Sequence, residues 1–338
     1  MHAPIPRSQA AKRTLPTSAM TMFSFVAAVL LAASSAAPTP LYPIYQQSLH
    51  LSPLMVTLVF AIYAFSLLAA LLTVGSLSDH IGRKPVIVAS LLLNIGAMVL
   101  FARTNDLGHL MFARAVQGLS VGTGITVLGA AILDTNRQRG PLLNSVFIFL
   151  GLTVGALGSG LLVAFAPNPL HLVFEVLLAV TAILFVLLWA MPETTAGKAG
   201  AWASLRPHVA VPAQSRKTLL RLTPGNVAVW AFGAFYLALM PAIVATAMHA
   251  SSALTGGVVV ASLMATAAMT VAVARSLKPR FLVHVGTVML SIGAAISLFG
   301  IAQQTVGALF AGTVVAGVGF GANFSGALQS LLPTAHAD

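Results

Sequence analysis

Long apolar segments alternate with short polar segments along the whole chain. An α-helix rises about 1.5 Å per residue, so about 20 apolar residues are needed to cross the hydrocarbon core of a bilayer. Ten segments of this kind predict an all-α membrane protein with about ten transmembrane helices. Their approximate ranges are Met20 to Ala37, Leu54 to Val74, Val86 to Ala102, Leu107 to Leu133, Leu142 to Ala166, Leu170 to Met191, Val227 to Met248, Ser251 to Ala274, Phe281 to Ala302 and Val306 to Leu332.

The composition agrees with this pattern. Hydrophobic residues make up 58% of the 338 positions and charged residues 7%, whereas about 25% of the residues in a soluble domain are charged. A water-soluble fold is therefore excluded. The chain has no cysteine, which excludes disulfides, thiol nucleophiles and thiolate metal sites.

The distribution of lysine and arginine predicts the orientation of the chain. If the N-terminus is cytoplasmic, all of the 17 basic residues except Arg103 and Arg114 fall in cytoplasmic segments, where insertion retains positive charge. We expect a multi-pass protein of the cell (inner or plasma) membrane. Because the basic residues are spread over several loops, nucleic acid is not an expected partner. The first apolar segment could alternatively be a cleaved signal peptide, since three basic residues precede it.

The longest polar interval separates six predicted helices from four. We predict an N-terminal tail at residues 1–19, a six-helix half at 20–191, a cytoplasmic linker at 192–223 and a four-helix half at 224–338. The halves share a pattern, because three glycines of the fourth helix recur 197 positions later in the tenth, a repeat plan known in transporters. A duplicated six-helix plan would need two more helices, so we expect the second half to be C-terminally incomplete and interpret residues 331–333 as a helix exit. The glycines are Gly122, Gly124 and Gly129, and Gly319, Gly321 and Gly326.

The loop between the second and third predicted helices combines glycines with charges. Its residues are Gly75, Leu77, Asp79, Gly82, Arg83 and Lys84, followed by Pro85. The pattern resembles the cytoplasmic signature Gly-x-Leu-x-Asp-x-x-Gly-Arg-Lys of the major facilitator superfamily. The resemblance implies a cytoplasmic gate in which Asp79 lies near the start of an eleventh helix and Arg83 pairs with Asp134 at the end of the fourth. Ordinary cytoplasmic positive charges are the alternative interpretation.

The fourth predicted helix contains Arg114, Gln117 and Gly118, which resemble the Arg-x-x-Gln-Gly signature of the same family. A guanidinium inside a span is costly unless it is paired or faces water. The resemblance implies that Arg114 influences a nearby protonatable site, whereas the alternative is an arginine that extends to the outer interface. Glu175 is the only acid well inside a predicted helix and is a candidate proton-coupling residue; it could instead partner His171.

The fifth predicted helix resembles a third signature, Gly-x-x-x-Gly-Pro-x-x-Gly-Gly, which is associated with antiporters that export drugs. Ala156 replaces the proline and Ser159 replaces a glycine. Helix packing alone also explains glycines at four-residue spacing. The matching positions are Gly151, Gly155, Ala156, Ser159 and Gly160.

Four further polar residues are candidates for lining a cavity or for hydrogen bonds between helices: Asn94, Asn144, Tyr236 and Asn323. Prolines follow the first predicted helix and interrupt the seventh. Because proline lacks a backbone N–H, both places are predicted helix breaks. The prolines are Pro38, Pro40 and Pro241.

Taken together, the resemblances imply secondary active transport by alternating access, with proton-coupled efflux of a small amphipathic compound or drug as the leading function. The alternatives are a truncated chain without transport activity and a transporter for uptake or for sugar or metabolite export. The implied partners are an unidentified small-molecule substrate, protons and the lipid bilayer, and a monomer is expected. No cofactor, metal or enzymatic activity is expected, because no intramembrane residues have metal or nucleophile spacing.

Overall fold

The computed structural model describes residues 15–205, 213–248 and 252–335, and it contains no strand within them. The predicted tail up to residue 14 and part of the predicted linker, including Arg206, lie outside the described residues. The α-helices are α1 (Thr17–Ala36), α2 (Tyr42–Ser48), α3 (Pro53–Val74), α4 (Ser78–Ile81), α5 (Arg83–Ala102), α6 (Leu107–Thr135), α7 (Gly140–Phe165), α8 (Pro169–Leu187), α9 (Ala201–Ser204), α10 (Ala213–Ala238), α11 (Met240–Ala247), α12 (Ala253–Val273), α13 (Pro279–Ala302) and α14 (Val306–Ala335).

Nine helices in the described part of the chain are long and apolar enough to cross a membrane. A tenth span is obtained if α10 and α11, which meet at an angle of 52°, are counted as one broken helix. This confirms the predicted all-α membrane bundle. We refer to α1–α8 as the first group and to α10–α14 as the second group.

Prolines interrupt the helices at two of the predicted places. Helix α1 ends at Ala36, and a 3₁₀ turn, Thr39–Leu41, leads into α2. The second break separates Ala238 from Met240, directly before Pro241. The predicted helix exit at residues 331–333 is wrong, because α14 continues through Pro333 to Ala335. A proline removes its own N–H from the helical ladder and its ring crowds the carbonyl of the preceding turn, but membrane helices tolerate both effects where neighbouring groups bind the freed backbone.

Two facing rows of glycines hold α13 and α14 together. Each row has a spacing of seven residues, so its members lie on one face of their helix. A Cβ atom on Gly319 would lie 2.7 Å from the carbonyl oxygen of Gly286. The backbones can therefore approach as closely as they do only without side chains at these positions. The rows are Gly286, Gly293 and Gly300 on α13, and Gly312, Gly319 and Gly326 on α14.

A close glycine contact of the same kind occurs inside each group, and it corrects the alignment of the two halves of the repeat. A Cβ atom on Gly122 of α6 would lie 2.5 Å from the carbonyl oxygen of Leu67 on α3. A Cβ atom on Gly321 of α14 would lie 2.5 Å from that of Ala267 on α12. By its contacts Gly122 therefore corresponds to Gly321, whereas the sequence alignment paired it with Gly319, which faces α13 instead.

The two groups meet mainly through α7 and α12. We call the end of the bundle that carries residues 75–85 the signature end. Near the opposite end, a Cβ atom on Gly257 of α12 would lie 2.8 Å from the carbonyl oxygen of Ala156 on α7. In the middle, Phe149 of α7 contacts Phe320 and Phe324 edge-on, with ring centroids 5.6 and 5.0 Å away. At the signature end a pocket of about 130 Å³ lies between the first turns of α7 and the last turns of α12 and α14.

Candidate functional site

The signature loop is built around a buried arginine. Gly82, with φ of 97°, turns the chain between α4 and α5, and Arg83 is the first residue of α5. Its Nε donates to Asp134 Oδ2 at 2.9 Å, and its Nη1 donates to Asp79 Oδ1 at 2.5 Å and to Ser78 Oγ at 2.7 Å. The Arg83 side chain is only 8% exposed. Paired carboxylates compensate a guanidinium in such a setting with strong charge-assisted hydrogen bonds.

The predicted pair of Arg83 and Asp134 is present, and Asp79, which we expected near the start of an eleventh transmembrane helix, pairs with Arg83 as well. Asp79 binds Arg83 within the first group, and the described residues contain no eleventh membrane-spanning helix. Leu77 packs against the hydrophobic core of α1, α5 and α6, and Gly75 directly follows α3. The contacts of Arg83, Asp79 and Leu77 therefore lie inside the first group.

A carboxylate that the sequence analysis missed completes this cluster. Glu193, which follows α8, accepts hydrogen bonds from the backbone N–H groups of Arg83 at 2.8 Å and Lys84 at 3.0 Å. These are unpaired donors of the first turn of α5, where negative charge is favoured by the helix dipole. The Lys84 ammonium donates to the Met191 carbonyl oxygen at 2.7 Å, and Thr194 Oγ1 donates to Asp134 at 3.2 Å. The start of the predicted linker is therefore bound to the signature loop.

Arg114 lies inside the bundle and is fully buried. Its Nη1 donates to the Ser35 carbonyl oxygen at 3.0 Å and to Gln117 Oε1 at 2.5 Å. Its Nε donates to the Tyr42 hydroxyl oxygen at 3.1 Å, and Nη2 donates to the same oxygen. The guanidinium carbon also lies 5.2 Å from the ring centroid of Tyr63. The alternative of an arginine extending to the interface is inconsistent with this enclosure.

The remaining parts of the Arg114 site come from the helix break after α1. Gln117 Nε2 donates to the Ser34 carbonyl oxygen at 2.8 Å. The carbonyl groups of Ser34 and Ser35 belong to the last turn of α1. The helix ends there, so no later N–H group of α1 binds these two carbonyls. Gly118 lets α6 contact α3 at Tyr63. The break therefore supplies acceptors to the guanidinium and its neighbouring amide.

All partners of Arg114 among the described residues are neutral. Glu175, the candidate coupling acid, is exposed on α8 and lines a shallow groove with His171. It has no hydrogen bond or ion pair with any described residue and takes no part in the Arg114 network. The described acids comprise three at the signature end and two others: Asp79, Asp134 and Glu193, and Asp106 and Glu175.

The third motif has two contact faces. Gly151 and Gly155 face α1, where a Cβ atom on Gly151 would lie 2.5 Å from the Val29 carbonyl oxygen. Ala156 and Gly160 face α12 of the second group. Ser159 donates to the Ala37 carbonyl oxygen at 2.6 Å, so the hydroxyl in place of glycine satisfies a backbone acceptor at the break after α1. The motif therefore lies where the first group contacts the second.

The four polar candidates for a cavity lining make hydrogen bonds between helices or to buried backbone. Asn94 donates to Thr181 at 2.9 Å, and Asn144 donates to the Gly129 carbonyl oxygen at 3.0 Å. Tyr236 donates to Ser297 at 3.0 Å. Asn323 likewise donates to Thr287, at 3.1 Å. These contacts fit the packing interpretation of all four residues.

Known proteins similar to this chain are membrane transporters. A family model described as Major Facilitator Superfamily matches residues 24–337. The multidrug resistance protein MdtL of Klebsiella pneumoniae (strain 342) is 29% identical over 104 residues, which cover 30% of this chain and 26% of that protein. The class C tetracycline resistance protein of Escherichia coli is 35% identical over 121 residues, covering 35% of this chain and 30% of that protein.

The fold is shared with solved structures as well. A bacterial homologue of the human lysosomal transporter Spinster, in an inward-facing and unoccupied conformation, superposes with a TM-score of 0.73 at 16% identity. The superposition covers 93% of this chain and 74% of that one. In contrast, the chain spans only about a quarter of the length of the curated relatives it matches.

Proposed function

The chain belongs to the major facilitator superfamily, and from that premise we propose that it is a secondary active transporter that works by alternating access and exports a small amphipathic compound in exchange for protons. One observation carries the proposal. The two groups are in close contact at the end opposite the signature loop, while a pocket of about 130 Å³ lies between them at the signature end. Rocking of two rigid groups about such a contact is a known mode of transport.

The charge distribution orients this arrangement. The positive-inside pattern supports a cytoplasmic location of the signature end. With that orientation, the contact at the opposite end supports a state that is closed on the outside. The contacts around Arg83 join α4 and α5 to the end of α6 and the segment after α8, which favours movement of the first group as a unit.

Arg114 supports coupling to a charged species. Its fixed positive charge has only neutral partners in the described part of the chain, and in a medium of low dielectric constant it would lower the pKa of any acid brought close to it. The cation lies beside the break after α1, and Ser159 of the third motif binds the same break. A change at the contact between the groups could reach the guanidinium by this route.

The direction of transport is inferred from the third motif and from similarity to resistance proteins. Gly151, Gly155 and Gly160 retain the glycine pattern associated with exporters, although Ala156 replaces its proline. The similar proteins are named for multidrug and tetracycline resistance. A small amphipathic compound is the substrate class that these resemblances favour.

The test is substrate-dependent proton movement in everted membrane vesicles that contain this chain. After respiration has acidified the lumen, ethidium, tetracycline and Hoechst 33342 are added separately, and a pH-sensitive acridine dye reports proton release. We expect at least one compound to release protons, and Asp79→Asn to reduce that release. If no compound moves protons and none is accumulated, the export proposal is refuted; accumulation without proton movement would refute only the coupling ion.

A further inference from the structure

A groove lined by cations lies at the signature end of the second group. It has a volume of about 880 Å³ and is formed by α10, the start of α13 and the end of α14. Arg221 comes from α10, whereas Lys278, Arg280 and His284 come from the start of α13. We call these four residues and the space between them the cationic groove.

The cations of this groove have no counter-charge among the described residues. From residue 213 onward, the described part of the chain contains neither aspartate nor glutamate. The side chains of Arg221, Lys278 and Arg280 are exposed, and none has a hydrogen-bond or ion-pair partner among the described residues. His284 Nδ1 is hydrogen-bonded to the Arg280 carbonyl oxygen at 2.7 Å. Like charges grouped in this way repel one another, so an anion bound between them is stabilised.

The first group shows what occupies the corresponding position there. The dipeptide Lys84-Pro85 at the start of α5 recurs as Lys278-Pro279 at the start of α13. In the first group, Lys84 binds the carbonyl oxygen of Met191, and the Glu193 carboxylate accepts the backbone N–H groups of the first turn. No oxygen of a described residue plays either role for Lys278. The repeat therefore indicates a ligand with anionic oxygen atoms in the cationic groove.

An apolar surface continues from the groove along α13. Phe281, Val288 and Ile292 are 55%, 53% and 43% exposed, and their spacing of seven and four residues places them on one face of the helix. Leu222 and Val283 add apolar walls to the groove itself. A ligand that satisfies both surfaces has an anionic head and long apolar chains.

We propose that the cationic groove binds the phosphate of an anionic phospholipid, whose acyl chains lie along the Phe281, Val288 and Ile292 face of α13. Arg221, Lys278 and Arg280 contact the headgroup. Basic pockets between the cytoplasmic ends of membrane helices bind such headgroups in other proteins. The site is independent of the transport reaction, because it shares no residue with the signature loop or the Arg114 network.

The experiment measures lipid binding to the purified, detergent-solubilised chain. Native mass spectrometry counts retained dioleoyl phosphatidylglycerol, with dioleoyl phosphatidylcholine as the neutral lipid of equal chain length. We expect selective retention of phosphatidylglycerol. The triple variant Arg221→Gln, Lys278→Gln and Arg280→Gln should weaken binding by about 100-fold, and Arg280→Gln alone by about fivefold. The single variant keeps the test decisive if the triple variant does not fold.

A second triple variant provides the matched control. Arg137→Gln, Arg139→Gln and Lys198→Gln remove the same net charge from exposed positions outside the second group, and phosphatidylglycerol binding should persist. Equal loss in both triple variants would overturn the proposal in favour of non-specific attraction. If glycerol 3-phosphate without acyl chains competes as well as the lipid does, a free phosphate compound is the ligand. If only a glutamate-rich peptide binds, the groove is a protein contact and the proposal fails.

Discussion

Replacing Tyr42 with phenylalanine tests how Arg114 is held inside the bundle. Tyr42 is fully buried, and its hydroxyl oxygen accepts hydrogen bonds from both Nε and Nη2 of Arg114. Phenylalanine keeps the ring, which lies 5.5 Å from the guanidinium carbon, but removes the acceptor. Two donors of a buried cation would then lose their partner.

The expected magnitude follows from the number of donors left without a partner. A buried donor without an acceptor destabilises a protein by about 1 to 3 kcal/mol, and by more when it is charged. Because one oxygen serves both donors and the other Arg114 contacts remain, we expect Tyr42→Phe to lower the free energy of unfolding by about 2 to 4 kcal/mol. For a chain of this size, that corresponds to a decrease in Tm of about 3 to 6 °C.

Tyr45 on the same helix provides a matched control. Its side chain is also buried, but its hydroxyl group has no hydrogen-bond partner in the described structure. Removing a buried hydroxyl without a partner relieves a desolvation penalty, so Tyr45→Phe should leave Tm unchanged or raise it by about 2 °C. Tm is measured by thermal unfolding of the detergent-solubilised chain, followed by near-ultraviolet circular dichroism. Equal Tm changes in the two variants would refute the proposed role of Tyr42.

Three further substitutions test contacts of the signature loop and the third motif, each by the same thermal unfolding measurement. Glu193→Gln should reduce stability by about 1 kcal/mol, because it weakens the cap of α5, whereas Glu175→Gln should have no effect; equal values would contradict the capping role. Gly82→Ala should cost about 1 to 3 kcal/mol, since alanine is strained at φ of 97°, while Gly158→Ala meets open space and should not destabilise. Ser159→Ala should cost about 1 kcal/mol through the hydrogen bond lost to Ala37, and an unchanged Tm would show that this bond contributes nothing.

The spans could be predicted from sequence because the membrane imposes a minimum length and an apolar composition on each helix. The helix breaks at Pro38 to Pro40 and at Pro241 were predictable for an equally local reason, the missing N–H of proline. The end of α14 was not, because Pro333 stands in a helix that continues past it. A proline in the sequence indicates that one backbone hydrogen bond is lost. Whether the helix ends there or continues depends on the helices that surround it.

The partners of the charged residues could be predicted only where a known motif named them. Arg83 and Asp134 are 51 positions apart, and the family resemblance brought them together. Glu193 has no such indication, yet it is one of only six acids in the chain and stands alone among basic residues after α8. That isolation was a usable signal. Tyr42 carries no comparable signal in the sequence, because its hydroxyl group is brought to Arg114 only by the break in the helix that follows α1.

The register of the repeat shows why sequence similarity alone misassigned glycines. Gly122 and Gly319 align in sequence, but they contact different neighbours, α3 and α13 respectively. Glycine is required wherever two backbones approach closely, so several faces of one helix can carry it. The contact itself distinguishes these faces. Gly321, which faces α12, is the structural counterpart of Gly122.

The small number of acids makes proton coupling unusually testable in this chain. Asp106 accepts the backbone N–H of His109 at 2.9 Å, and this hydrogen bond lowers the pKa of its carboxyl group. Because a lowered pKa keeps the group ionised at neutral pH, Asp106 is a poor proton carrier, and Asp106→Asn should retain substrate-dependent proton movement. Asp79 and Asp134 are both bound to Arg83, so their part in the structure is to hold the signature loop.

We propose Glu175 as the described acid that exchanges a proton, because its side chain is exposed and has no hydrogen bond or ion pair with any described residue. We expect Glu175→Gln to abolish substrate-dependent proton movement in everted vesicles while the protein level in the membrane stays the same. Asp79→Asn and Asp134→Asn should instead slow substrate and proton movement together, because they loosen the contacts of the signature loop. If the amide variants of all five described acids retain full proton movement, no described carboxylate carries the proton, and the coupling mechanism proposed for this part of the chain is refuted.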